Sequence, residues 1–148
     1  MPEREKRVLV VDDDDAIRTL LFTILRKRRF AVDVASNGEE AMARLDLCSY
    51  AVLLLDLMMP VMSGWEVLER LERRHARDRP LVIVLTAGSE PRSMNPAVVS
   101  GLIRKPFDAE LLMDMVTGCL AVAEAREQRA ECPAPQSSER ERAPRGIN

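Results

Sequence analysis

Aromatic side chains are nearly missing from this chain, which has one tryptophan, one tyrosine and three phenylalanines in 148 residues. Any core must therefore be aliphatic, and an apolar content of 47% is ample to build one. Cysteine is scarce as well: Cys48, Cys119 and Cys132 are odd in number and far apart. None belongs to a C-x-x-C pair, which argues against a disulfide framework or a zinc site and for reduced thiols. The single histidine, His75, lies in the charged stretch Arg73-Arg74-His75-Ala76-Arg77 and reads as a surface residue, not a catalyst or phosphoryl donor. Neither sign of charge dominates, since the net charge is −2. Bulk electrostatics thus offer no footprint for nucleic acid or a membrane surface. No apolar run approaches the roughly 20 residues that span a bilayer. The charged start, Met1 to Arg7, has no apolar stretch of signal-peptide length before Asp12. These absences lead us to expect a soluble, cytoplasmic protein with no nucleic-acid partner and no membrane insertion.

What is present is an alternation. Val8 to Val11 is a short β-branched-rich run that stops at Asp12. Ile17, Leu20, Leu21, Ile24 and Leu25 then recur at helical spacing, with Arg18, Arg26 and Lys27 between them. Phe30 to Ala35 alternates like a strand, Ser36-Asn37-Gly38 is a turn signal, and Ala41, Met42 and Leu45 mark a second helix. Ala51 to Leu55 is an unbroken apolar run ending at Asp56, as suits a strand buried on both faces. After the break from Met59-Pro60 to Gly64, Trp65, Val67, Leu68 and Leu71 keep helical spacing, and Trp65 reads as a partly buried packing residue. Leu81 to Leu85 is again wholly apolar and ends at Thr86. Leu102-Ile103 is the shortest strand candidate, and Asp108 can cap a last helix carrying Leu111, Leu112, Met115, Val116 and Leu120.

A βα unit repeated about five times implies a parallel sheet with helices on both faces. A βα barrel or a longer dinucleotide domain needs more chain. About 120 residues fit a flavodoxin-like doubly wound (βα)5 domain. The unit between Thr86 and Gly101 is the weak one: Pro91 and Pro96 predict a short or irregular fourth helix, with Asn95 as cap and Pro96 in its first turn. After Ala121 the composition shifts to Pro, Arg, Glu and Ala. We expect the folded domain at 1–121 and a disordered tail at 122–148, with Ala and Glu able to prolong the last helix at first.

In such sheets ligands bind beyond the carboxyl ends of the strands. Those ends carry Asp12-Asp13, Asp56, Thr86 and Lys105. Three carboxylates brought together repel one another unless a cation intervenes, and an all-oxygen set favours Mg²⁺ over zinc or copper. A lysine and a hydroxyl complete a site that can handle a phosphoryl group. The acidic run Asp12 to Asp15 also has a structural role, since acidic groups stabilise a helix N-terminus by about 0.3–1 kcal/mol each. Asp14 or Asp15 is expected to cap the first helix while Asp12 and Asp13 face the site.

The segments Val8 to Asp14, Leu54 to Gly64, Leu85-Thr86-Ala87 and Lys105-Pro106-Phe107 resemble, in this order, the motifs of response-regulator receiver domains of two-component signalling. The resemblance covers roughly residues 5 to 121 and implies a strand order of 2-1-3-4-5. It implies that Asp56 is the phosphoacceptor, taking the group from a phosphohistidine of a sensor histidine kinase or phosphotransfer protein. Asp13, Asp56 and the backbone carbonyl of Met58 would ligate Mg²⁺, with Asp12 acting mainly through metal-bound water. Lys105 would pair with the phosphoryl oxygens or, before transfer, with Asp56. Thr86 would swing to the phosphoryl group, small Ala87 would leave room for it, and the Lys105–Pro106 bond would be cis. The chain would be regulatory, catalysing only its own phosphorylation and dephosphorylation. Chemotaxis-regulator-like and without an output domain, it would signal through an unknown downstream protein.

Two places depart from that pattern. Leu102 stands three residues before the lysine, where many receivers carry a Tyr or Phe that rotates inward. The connection from Thr86 to Lys105 is also short. An interaction module that ignores phosphorylation is therefore the second reading. A phosphatase with an aspartyl nucleophile would need a second acidic residue where Met58 stands.

Overall fold

Three apolar runs form the middle of a parallel sheet in the computed structural model, which describes residues 7–88 and 93–131, with side chains through Arg126. The elements are β1 (Arg7–Val11), α1 (Asp15–Lys27), β2 (Ala31–Ala35), α2 (Gly38–Leu47), β3 (Val52–Asp56), α3 (Gly64–Glu72), a single 3-10 turn at Ala76–Asp78, β4 (Leu81–Thr86), β5 (Val99–Arg104) and α4 (Ala109–Glu131). The sheet order is β2-β1-β3-β4-β5. All four pairings are parallel, as the βα alternation requires.

Strand alternation sorts the core into two layers. Val8, Val10, Val52 and Leu54 pack against Leu21 and Leu25 of α1 and Leu112 and Val116 of α4. Leu9, Val11, Leu53 and Leu55 pack against Ala41 and Leu45 of α2 and Val67 and Leu71 of α3. Every residue of β3 is buried, so it reads as an unbroken run instead of an alternating one. Each fully buried Leu or Val contributes about 1.5–3 kcal/mol by leaving water. Tyr50 is the exception to an aliphatic core. It is buried, and its hydroxyl donates to Asp33 at 2.6 Å.

The helix starts follow their capping residues. Asp14 accepts from the N–H groups of Ala16 and Ile17 at 2.9 and 3.2 Å, so it is Asp14, not Asp15, that caps α1. Asn37 caps α2 through Glu40 N–H at 2.8 Å, and Ser63 caps α3 through Glu66 N–H at 3.3 Å. Asp108 accepts from Glu110 N–H at 2.8 Å. Each bond satisfies a donor that the first helical turn leaves open.

Two elements differ from the sequence reading. Strand β5 runs from Val99 to Arg104, longer than Leu102-Ile103 alone. It is an edge strand and only half-covered, so Ser100 and Gly101 interrupt the apolar run without ending the strand. Its pairing with β4 also shifts register, with Val99 opposite Val82 and Gly101 opposite Ile83. Helix α4 continues past Ala121 to Glu131, so the expected domain boundary falls inside it. Arg126 donates to the carbonyl of Ala76 at 3.0 Å and ties that extension to the body. The expected tail beyond it, residues 132–148, lies outside the described residues.

The weak fourth unit contains no helix among the described residues. Asn95 accepts from Ala97 N–H through its side chain, and its carbonyl accepts from Val98 and Val99, all at 2.9 Å. The expected cap therefore starts a single turn at Pro96, which places buried Val98 on the α3 side of the sheet. Residues 89–92, part of the same expectation, lie outside the described set. No helix among the described residues is long and apolar enough to cross a membrane.

Candidate functional site

The strand register brings the polar strand ends to one edge. Val11 lies opposite Leu55, Asp56 opposite Leu85, and Thr86 opposite Arg104. The residues just past these pairs, Asp12 and Lys105, therefore share the carboxyl edge with Asp56 and Thr86. Ligand-atom positions of Asp12, Asp13 and Asp56 lie within 4.8 Å of one another. Asp12, Asp56 and Thr86 are buried, while Asp13 is exposed at the mouth.

Lys105 supplies the local cation. Its ammonium lies 2.8 Å from Asp12 and 3.6 Å from Asp56, so in this state the lysine bonds mainly to Asp12, where the resemblance implied Asp56. Asp12 is correspondingly wholly buried. Its other carboxylate oxygen accepts from Asp14 N–H at 2.9 Å. Asp56 accepts a long bond, 3.4 Å, from Met58 N–H. The Lys105–Pro106 bond is cis, and the Lys105 N–H donates to the Thr86 carbonyl at 2.7 Å. Thr86 exchanges bonds with Gly88, its hydroxyl donating to the carbonyl at 3.1 Å and accepting from the N–H at 3.3 Å. Ala87 is exposed beside it. Leu102 lies on β5 opposite Val84 and is partly exposed. His75 is exposed, and Trp65 is partly buried against the α3-side core, as expected from their neighbours.

The electrostatics are those of a cation-poor acidic pocket. Burial first, and the Asp12 charge second, push Asp56 from its ordinary 3.8 up to about 6, against the pull of Lys105 and of Met58 N–H. Burial works against the Lys105 ammonium, but its bond to Asp12 and the Asp56 charge outweigh it and raise its pKa above the ordinary value. Three hard oxygen donors, two of them buried, with the charge on Asp56 disfavoured by burial and by Asp12, suit a divalent cation such as Mg²⁺.

Two contributors escaped the sequence reading. Gly64 looked like a chain break, but a Cβ there would lie 2.3 Å from the Asp56 carbonyl oxygen. Arg18 looked like a polar spacer, but its guanidinium donates to the Asp12 carbonyl at 2.7 Å. The signal available for each was proximity in sequence to an acidic strand end, which many arginines and glycines share.

Fold and site together define a doubly wound α/β domain with an acidic, lysine-bearing pocket at its strand ends. Residues 8–117 match the family described as the response regulator receiver domain. The chain belongs to that family, the receiver domains of two-component signalling. It is 37% identical over 105 residues to the transcriptional regulatory protein ResD of Bacillus subtilis, a match covering 70% of this chain and 43% of ResD. The chain thus spans under half the length of that curated relative. Among solved structures it is similar to the response regulator TrrA of Thermotoga maritima in complex with Mg²⁺-BeF, with 33% identity and a TM-score of 0.69, covering 77% of this chain and 98% of that one. A CheY-like receiver domain protein of Methanospirillum hungatei gives a TM-score of 0.73 at 26% identity, covering 82% of this chain and 98% of its own.

Proposed function

We propose that Asp56 accepts a phosphoryl group from a phosphohistidine on a sensor histidine kinase or phosphotransfer protein, and that the phosphorylated chain signals by protein–protein contact. The observation that carries this reading is the convergence of Asp12, Asp13, Asp56, Thr86 and Lys105 at one sheet edge. An Asp56 oxygen would bond to phosphorus as the P–N bond breaks, and the electron pair of that bond would leave with the imidazole. At neutral pH a carboxyl whose pKa stands at about 6 is mostly ionised and able to attack.

Asp13, Asp56 and the Met58 carbonyl would hold Mg²⁺, with Asp12 behind them. Bound there, Mg²⁺ supplies positive charge for the phosphoryl oxygens. Lys105 is near enough to both Asp12 and Asp56 to move from the first toward the new phosphoryl oxygens as charge builds at Asp56. Thr86 would give up its bonds with Gly88 to donate to the same group. With an aliphatic residue at Leu102, the readout would not use a rotating aromatic ring there.

The expected result is direct. The intact protein gains one phosphoryl group when incubated with acetyl phosphate and Mg²⁺, as read by mass spectrometry. Chelating the metal, or making Asp56→Asn, removes the gain. A folded wild-type protein that gains nothing overturns the reading.

A further inference from the structure

We infer that Arg18 is a positioning residue for the cation site: by holding the Asp12 carbonyl, it fixes the peptide that presents Asp13 to Asp56. This rests on the reading that Asp13 and Asp56 ligate Mg²⁺.

The chain leaves β1 at Val11, and the Asp12 N–H still follows the sheet, donating to Ala35 at 3.2 Å. The Asp12 carbonyl lies beyond the last β1–β3 pair, Val11 with Leu55. Its partner is Nη1 of Arg18 at 2.7 Å. That carbonyl belongs to the Asp12–Asp13 peptide, so its direction sets where Asp13 starts. On the far side, Asp14 is held by its N–H to the Asp12 carboxylate at 2.9 Å and by its role as cap of α1. Asp13 therefore sits between two anchored residues, and Arg18 supplies the anchor on the strand side.

Arg18 is itself clamped. Its N–H donates to the Asp14 carbonyl at 2.9 Å, which seats it in the first turns of α1. Its Nη2 pairs with Asp15, three residues earlier on the same helix. The arginine is 19% exposed while Asp15 is 88% exposed, so the guanidinium lies over the loop with its outer edge tied to an outward carboxylate. The rigid planar fork holds both bonds in a fixed geometry, which the compact, freely rotating ammonium of a lysine does not reproduce. Without Arg18, the Asp12 carbonyl loses its charge-assisted partner and the Asp12–Asp13 peptide loses the bond that sets its direction.

The sign of the effect separates this role from simple charge. A cation beside an acidic site disfavours Mg²⁺ through space, so removing the charge alone would tighten binding. Loss of positioning weakens it. The test is calorimetric titration of the full chain with Mg²⁺, run well below the metal-free melting midpoint, for wild type, Arg18→Lys and Arg18→Gln. Both variants should bind roughly 10-fold more weakly, the scale on which outer partners of a metal site act. Phosphoryl uptake from acetyl phosphate should then recover as Mg²⁺ is raised, a rescue that loss of a phosphate contact does not show. Binding as tight as wild type or tighter in Arg18→Lys overturns the inference, as does uptake that fails to recover; if Arg18→Gln does not fold, Arg18→Lys decides alone. A wild type that takes up no Mg²⁺ overturns the Mg²⁺ reading itself, and this inference with it.

Discussion

Asp56→Asn is expected to make the metal-free protein more stable, by about 1–3 kcal/mol above pH 7. The ordinary carboxyl value of 3.8 rises to about 6 in the fold, so the native state holds this proton more tightly than the unfolded chain does. The stability that protonated Asp56 contributes is complete below pH 3.8 and is lost as pH rises through about 6. Above that, a buried carboxylate faces Asp12 with one shared lysine between them. An asparagine of the same shape carries no charge and escapes this cost, while Lys105 keeps its closer partner Asp12. The gap between variant and wild type should therefore be small near pH 4, grow toward pH 6, and stay level beyond it. Urea denaturation in the presence of a chelator, repeated across that range, measures it. Adding Mg²⁺ should then raise the wild type alone and narrow the gap, because a ligand bound only by the native state stabilises it. A variant less stable than wild type at pH 8 would contradict the assignment of strain to this carboxylate.

The second large effect concerns a residue with no side chain. Gly64→Ala would place a Cβ 2.3 Å from the Asp56 carbonyl oxygen and 2.7 Å from the Leu57 Cα. Both are backbone atoms at the end of β3, which cannot turn aside as a side chain can. The Gly64 N–H also donates to the Leu57 carbonyl at 2.9 Å, so the start of α3 rests directly on the strand end that bears Asp56. A single methyl must therefore move the helix or the strand, at a cost of about 3 kcal/mol or more. Gly118→Ala is the comparison, for a Cβ at Gly118 meets nothing within 4 Å. There the exposed helix interior gains about 0.5–1 kcal/mol from the better helix former. Denaturation midpoints of the two variants should fall on opposite sides of wild type. Retention of both stability and phosphoryl uptake in Gly64→Ala would show that the close contact has room to relax.

The parts of this molecule that were legible in the sequence are those signalled by local punctuation. β1, β3 and β4 are apolar runs stopped by Asp12, Asp56 and just before the terminal Thr86, so their ends and their shared edge could be read together. The cap at Asp108, and the choice of Asp14 or Asp15 for α1, follow from short-range bonding rules. What stayed hidden depends on neighbours far away in the chain or on partial burial. β5 is covered on one side only, which lets Ser100 and Gly101 interrupt its pattern. That Ala and Glu could prolong α4 was legible, but the Arg126 contact with Ala76 that ties the extension down was not. The preference of Lys105 for Asp12 over Asp56 is a matter of 2.8 against 3.6 Å, which no spacing rule contains. Gly64 and Arg18 act through backbone atoms, and a backbone atom has no letter in a sequence.

The register shift in β5 has a bearing on self-association. An outermost strand offers a row of unpaired N–H and C=O groups that another chain can join, and a long, flat, apolar one is a template for filament growth. Here the irregularity falls at the first step of the pairing, between Val82 and Ile83, and the outward positions are Ser100, Leu102 and Arg104. A register-shifted and partly charged margin is a poor surface for an incoming strand. The same loss of regularity that shortened β5 in the sequence reading thus makes this edge of the five-stranded sheet a poor template for a further strand.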